Sequence, residues 1–138
     1  DQDPEALHLR DRWLNNLLQM VCASLPERFQ FAEKMADFRY KTPDTVAAMR
    51  KNLREMLLVW LSFWRDVMIH SAFHTPQALT NVDRMDEIKK FSEQVNAELA
   101  WRMLHNTEAL FSRWERNVNV RLALEDYLLD MPSLSADL

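Results

Sequence analysis

Asp66, His70 and His74 recur at intervals of four, the spacing that would align them on one face of a helix. One carboxylate and two imidazoles form a donor set that divalent transition metals accept. Metal sites in helical bundles draw ligands from several helices, however, and these three share one. Histidines near the C-terminal end of a helix are also favoured by its dipole, which is the plainer account of His70 and His74. His8 and His105 are isolated and read as surface or boundary residues. Nucleophilic catalysis has still less to work with. A nucleophile needs an adjacent base and a group to orient it, and Ser24, Ser62, Ser71, Ser92 and Ser112 sit in no local pattern that supplies either. The carboxylate pairs Asp86-Glu87 and Glu125-Asp126 fall where helices carry solvated charge. Cys22, the single cysteine, lies on the apolar side of an expected helix and reads as a small buried hydrophobe in a reducing compartment. No site residue is assigned to catalysis, a cofactor or a metal.

Side chains that contact a partner are the remaining option. Of the five tryptophans, Trp13, Trp60, Trp64 and Trp114 sit on or beside inward lines. Trp101 lies just off the inner line of its helix, between Glu98 and Arg102, and fits either a core position or an anchor for a protein partner.

The elements that would position these residues are all helical, since no alternating strand pattern of useful length occurs. Asp3-Pro4 reads as an N-cap followed by proline at the first helical position. It opens a helix to about Ala23, with Leu7, Leu14, Leu17, Leu18 and Val21 inward. Ser24-Leu25-Pro26-Glu27 has the pattern of a capping box, and its helix should run to about Tyr40 with Phe29, Ala32, Met35 and Ala36 buried. Thr42-Pro43-Asp44 opens the longest helix. Val46, Met49, Leu53, Met56, Trp60, Phe63, Val67 and His70 recur there in alternating steps of three and four, and Leu57, Leu61, Trp64 and Met68 line an adjacent face. A helix apolar on two faces must be surrounded by others, so this one is central. His74 to Thr80 is a loop, and Asn81 or Asp83 caps a fourth helix ending near Val95. A fifth runs from about Asn96 to Arg116, with Ala100, Leu104, Thr107, Phe111 and Trp114 inward.

Asn117 suits the position just past that helix, because its short side chain tolerates left-handed backbone. Asn119 suits the N-cap of a sixth helix, whose Val120, Leu124, Tyr127, Leu128 and Met131 face inward before Pro132 stops it. The tail from Ser133 to Leu138 has no periodicity, so fraying is expected. The expectation is therefore an all-α single helical bundle of about six helices over residues 1–138.

Composition removes several functions. The chain contains no glycine, and the phosphate-cradling loops GxxxxGK[ST] and GxGxxG cannot form without it. A net charge of −4, with 17 basic against 21 acidic residues and no long basic run, makes direct nucleic-acid binding unexpected. The longest apolar run, Met56 to Trp64, is cut by Arg65-Asp66 well short of a membrane span, so a soluble, cytoplasmic protein is expected. The missing initiator methionine suggests an excised piece of a longer chain.

Three blocks carry a family likeness. Leu57-Leu58-Val59-Trp60-Leu61-Ser62-Phe63-Trp64-Arg65-Asp66 resembles the tryptophan-rich, Arg-Asp-ended helix in the C-terminal domain of the delta-prime subunit of bacterial DNA polymerase III. Asn81-Val82-Asp83 is similar to the Asn-x-Asp start that follows it, and Asn117-Val118-Asn119-Val120-Arg121-Leu122-Ala123-Leu124-Glu125 to the closing signature. The blocks agree in order and spacing and fall within residues 41–132, whereas the two helices of residues 1–40 match no specific block.

The resemblance implies a helical collar that joins clamp-loader subunits, delta, delta-prime and three gamma or tau copies, into an open ring that loads the sliding clamp. The family's upstream ATPase-like domains are absent from this sequence, so it implies no ATP site, zinc site or arginine finger on any residue here, and no cofactor. The expected partners are the gamma or tau and delta subunits, with no membrane and no direct nucleic acid. Structural or interface roles are expected of Trp64, Arg65, Asp66, Asn117, Asn119, Arg121, Leu122, Leu124 and Glu125, together with Trp101. Arg65 and Asp66, adjacent on a helix, should each pair with a different helix, and Glu125 should reach back to Arg121. The alternatives are a gamma or tau collar, an unrelated helical adaptor, and a bundle that binds metal or a small ligand through His70 and His74.

Overall fold

The computed structural model describes residues 4–73, 79–116 and 119–135. Among these residues it is all-α, with six α-helices and no strand: α1 (Pro4–Val21), α2 (Leu25–Ala36), α3 (Pro43–Phe73), α4 (Met85–Gln94), α5 (Ala97–Glu115) and α6 (Val120–Leu129). A 3-10 turn, Val82–Arg84, leads into α4.

The helix starts follow local chemistry. Before α2 the capping box is complete: the Glu27 amide donates to Ser24 Oγ at 3.4 Å and the Ser24 amide donates to Glu27 Oε1 at 3.1 Å. Thr42 Oγ1 accepts from the Thr45 amide ahead of α3, and Asn96 Oδ1 from the Leu99 amide ahead of α5. The start of α4 is different, because neither Asn81 nor Asp83 caps it through a side chain. The Asn81 side chain is committed elsewhere, to Asp66 and Arg10.

Helix α2 stops at Ala36, short of the expected Tyr40. The Asp37 carboxylate accepts from the Arg39 amide at 3.1 Å, which turns the chain. Tyr40 then adopts φ 60°, a left-handed conformation that glycine would take more cheaply.

Helix α3 is central, as its two apolar lines require. It packs most extensively on α5 and also touches α1, α2 and α4, while α6 lies against α2 and α5. Leu53, Met56, Leu57, Trp60, Phe63, Trp64 and Val67 are fully buried or nearly so. Burial of one such aliphatic or phenyl side chain stabilises by roughly 1.5–3 kcal/mol, so this helix holds much of the core. Phe31 and Tyr127 each stack with Trp60, with ring centroids 6.1 Å away in each case.

Two expected inward residues are exposed, Leu7 at 40 % and Phe29 at 38 %, and several others, such as Leu104 and Trp114, are only half-buried. The first two turns of α1 project beyond the bundle, and α2 is rotated so that Arg28, Ala32 and Ala36 form its buried line instead. The tail is held at least as far as Ser135, where the sequence pattern suggests fraying. The Leu134 amide donates to Val21 O at 2.8 Å and the Ser135 amide to Gln94 Oε1 at 2.8 Å.

Candidate functional site

Helix α6 begins at an open groove. Asn119 Oδ1 accepts from the Leu122 amide at 3.2 Å, so this residue is the N-cap that its type suggests. The cap sets the rotation of the helix. Val120, Ala123, Leu124, Tyr127 and Leu128 turn inward, Arg121 and Glu125 become half-buried, and Leu122 is 54 % exposed. The end of α2 and the turn after it, Ala36 to Arg39, face this start across an open cleft of about 580 Å³. Ala36, Phe38, Val120 and Leu122 give the cleft its apolar lining, and Asp37, Arg39, Arg121 and Glu125 its charged rim.

The rim is internally balanced. Asp37 Oδ1 accepts from Arg39 Nε and Asp37 Oδ2 from Arg39 Nη2, both at 2.9 Å, and Arg121 Nη1 lies 3.6 Å from Asp37 Oδ2. Arg121 Nε is also 3.8 Å from Glu125 Oε2, the expected four-residue pair, with a second partner the sequence did not reveal. Hydrogen bonds from the Arg39 guanidinium and amide, with Arg121 adding its charge, hold the Asp37 carboxyl well below the usual carboxylate range. The groove thus offers an apolar floor inside a neutral rim, suited to a side chain of another protein rather than to a polyanion.

The other end of α6 is closed by a buried cation. Arg28 is 2 % exposed, and its guanidinium donates to the carbonyls of Leu128 at 2.7 Å, Met131 at 2.9 Å and Pro132 at 3.0 Å. The Val21 carbonyl accepts from it as well, at 3.4 Å. Leu128 and Val21 lie in the last turns of α6 and α1, where carbonyls lack an i+4 amide partner, and Met131 and Pro132 lie just beyond α6, where the helix dipole favours a positive charge. Burial lowers the Arg28 pKa from its ordinary value without threatening its charge. Sequence reasoning missed this residue, although a signal existed: Ala32 and Ala36, small and on the same face, leave room for a long side chain to lie flat.

Between the two ends, Tyr127 Oη receives a hydrogen bond from Trp64 Nε1 at 3.2 Å and shares one with Thr107 Oγ1 at 2.8 Å. All three side chains are buried, and Tyr127, enclosed on every side, has its pKa pushed up to about 12 by burial. Trp64 therefore serves the interior, and so does Leu124, at 0 % exposure.

Asp66 is also fully buried. Its carboxylate accepts from the amides of Thr80 at 2.9 Å and Asn81 at 2.6 Å and from Asn81 Nδ2 at 2.7 Å, fixing the chain that enters α4. Arg10 extends this lattice to α1 by donating to Asn81 Oδ1 at 2.7 Å and to both oxygens of Asp83. Arg65 points the other way. It is exposed and makes no hydrogen bond or ion pair among the described residues, so the expected second interhelical pair is not formed there. His70 Nδ1 lies 3.2 Å from Ser92 Oγ, and His74 and Asn117 fall outside the described residues. With Asp66 committed to three N–H donors, the line Asp66, His70, His74 loses its carboxylate. Among the described residues no group of three or more His, Cys, Asp or Glu side chains could hold a metal ion.

Trp101 stands apart from the groove. It is 54 % exposed on α5, with the His105 ring 4.0 Å away, and Asn96, Glu98, Leu99 and Arg102 border a shallow recess around it. No helix among the described residues is long and apolar enough to cross a membrane.

Fold and site together define an all-α bundle whose surface carries an apolar groove and an exposed tryptophan. Residues 23–132 match the family described as DNA polymerase III, delta subunit, C terminal. The chain belongs to that family, a clamp-loader subunit domain of the replication machinery. The match takes in α2, where the sequence shows no specific block, and leaves out α1. No curated protein and no solved structure matches the chain.

Proposed function

We propose that this chain is the collar module of a clamp-loader delta-prime subunit, and that its work is to hold the gamma or tau and delta subunits beside it in the ring that loads the sliding clamp. The observation that carries the reading is the position of the closing block. Asn119, Arg121, Leu122 and Glu125 line the exposed groove at the start of α6, whereas Trp64, Asp66 and Leu124 brace the interior behind it. The delta-prime assignment, against gamma or tau, is supported by the resemblance of the Asn117/Asn119 block. The module performs no chemistry of its own, binds no cofactor and makes no direct contact with nucleic acid. The parent complex works in the bacterial cytoplasm.

Mixing the chain with the C-terminal domains of gamma and delta and weighing the products by native mass spectrometry tests this. A discrete hetero-complex is expected. If all partners are folded and only separate species appear, the proposal is wrong.

A further inference from the structure

Helix α3 carries two lines in alternating steps of three and four, and the bundle covers only one of them. The covered line includes Leu53, Met56, Trp60, Phe63 and Val67, all buried. The second, nearly opposite on the helix, reads Lys51, Arg54, Leu58, Leu61 and Arg65. Leu58 is 41 % exposed, the three cations are exposed, and Leu61 is half-buried. Helices α1, α2, α4 and α5 all pack on α3 and still leave this strip open. A three-four line is the seam that a helix offers to one further helix. From Lys51 to Arg65 it is roughly 21 Å long, and it is one ridge of side chains wide. That shape fits a single helix rather than the broad face of a folded domain.

The charges say what kind of helix. Past the first turn of α3 every exposed charged side chain is a cation, on a chain whose net charge is −4. Among the described residues Lys51 and Arg65 make no hydrogen bond or ion pair, and Arg54 lies over the Phe111 ring at 5.6 Å without an ion pair. Glu55 is half-buried and stands off the line, about 80° round the axis from its centre. The cations thus bracket two leucines, and their hydrocarbon stems can lie along an apolar neighbour while their heads reach past it. A phosphate backbone would meet leucine at the centre of the row, where it needs positive charge.

We infer that this strip of α3 receives an acidic amphipathic helix of a neighbouring clamp-loader subunit. That helix is apolar where it crosses Leu58 and Leu61 and carries carboxylates one to two turns to either side, against Arg65 at one end and Lys51 and Arg54 at the other. This deepens the assembly reading, on which it rests, by naming a second docking face and the chemistry of its occupant.

Titration calorimetry of the chain against the C-terminal domains of gamma and delta, over a range of salt, tests this. Wild-type affinity should fall as salt rises, because salt screens attraction between opposite charges. Arg65→Gln should weaken binding severalfold and flatten that salt dependence. Leu58→Ala should weaken it about tenfold and leave the salt dependence unchanged. Lys90→Glu, a larger change of charge on α4, should bind as wild type, since the α4 ring Phe91 packs on Phe63 and Trp64, away from the strip. All three substituted residues are exposed, so unchanged circular dichroism is expected of each. A carbodiimide, which joins an amine to a touching carboxylate, should couple Lys51 to an Asp or Glu on a helix of the bound domain. Wild-type affinity in both Arg65→Gln and Leu58→Ala, or no coupling of Lys51 to the bound domain, overturns the inference and keeps the assembly reading. A single-stranded oligonucleotide that binds the wild type and not Arg65→Gln, while the gamma and delta domains bind both alike, overturns it in favour of a nucleic-acid face. No complex with either domain, all partners being folded, overturns the assembly reading and this inference with it.

Discussion

The two ends of α6 are built on opposite principles. At its C-terminal end Arg28 is buried and satisfies four carbonyls at once, whereas at its N-terminal end the charges of Asp37, Arg39, Arg121 and Glu125 remain in contact with solvent around an apolar cleft. Hydrogen bonds from a buried charge are strong, and leaving their partners unpaired is costly. Solvent-exposed ion pairs contribute little to folding. The locked end therefore holds the helix in place, and the open end leaves its surface available to a partner.

The contrast breaks most visibly at Arg28. Arg28→Met should lower the unfolding free energy by about 3–5 kcal/mol, because three strongly bonded carbonyls lose their donor in a buried site. In a domain of this size that is a fall in midpoint temperature of about 10 °C or more. Arg28→Lys should recover only part of it, since one ammonium cannot span Leu128, Met131 and Pro132 as a planar fork does. A loss below about 1 kcal/mol in the methionine variant, read by urea unfolding, would show that the C-terminal end is not locked this way.

In the last turn of the helix, Tyr127 gives a smaller effect with a defined pH window. Its folded pKa of about 12 lies above the ordinary tyrosine value of 10. The unfolded chain loses that proton first, so the contribution is complete below pH 10 and is lost as pH rises from there to about 12. The loss over that span is about 2–3 kcal/mol. Tyr127→Phe should lack this component of the alkaline decline, while starting less stable because Trp64 Nε1 has lost its acceptor. Equal alkaline slopes for the two proteins would remove Tyr127 as the cause.

How much of this was legible in the sequence follows the same division. The central α3, the capping box at Ser24 and the cap at Asn119 were readable because each depends on neighbours within a few residues. The exposed state of Trp101 was half-readable, since its helix phase places it beside the inner line without deciding between core and surface. Asp37 and Arg39 could not be found that way: their relation to Arg121 spans more than eighty residues and depends on α2 ending at Ala36. Arg28 was hidden by its own type, because a cation on a helix reads as solvated until the carbonyls that surround it are known. Asn81 looked like a cap and is instead part of the Asp66 lattice: its Oδ1, the atom a cap would use, accepts from the Arg10 guanidinium, and its N–H groups donate to the buried Asp66 carboxylate.

The smallest expected effect lies at the open end and sharpens the contrast by its size. Asp37→Asn removes the negative charge, and one of the two oxygens, that face Arg39 and Arg121 but leaves a side chain of the same shape, so thermal unfolding at pH 7 should change little or not at all. The pH dependence carries the sign. The folded-state pKa of Asp37 is depressed by the Arg39 hydrogen bonds, so whatever the ion pair contributes is present above the ordinary carboxylate range and is lost as pH falls through and below it. Wild type and variant should therefore converge in acid, and any gap between them should open only towards neutral pH. A variant that instead unfolds as readily as Arg28→Met would mean that the rim is part of the scaffold. The balanced charges around the groove would then be holding the bundle together, leaving the exposed Leu122 as part of that scaffold rather than as a surface kept open for a neighbour.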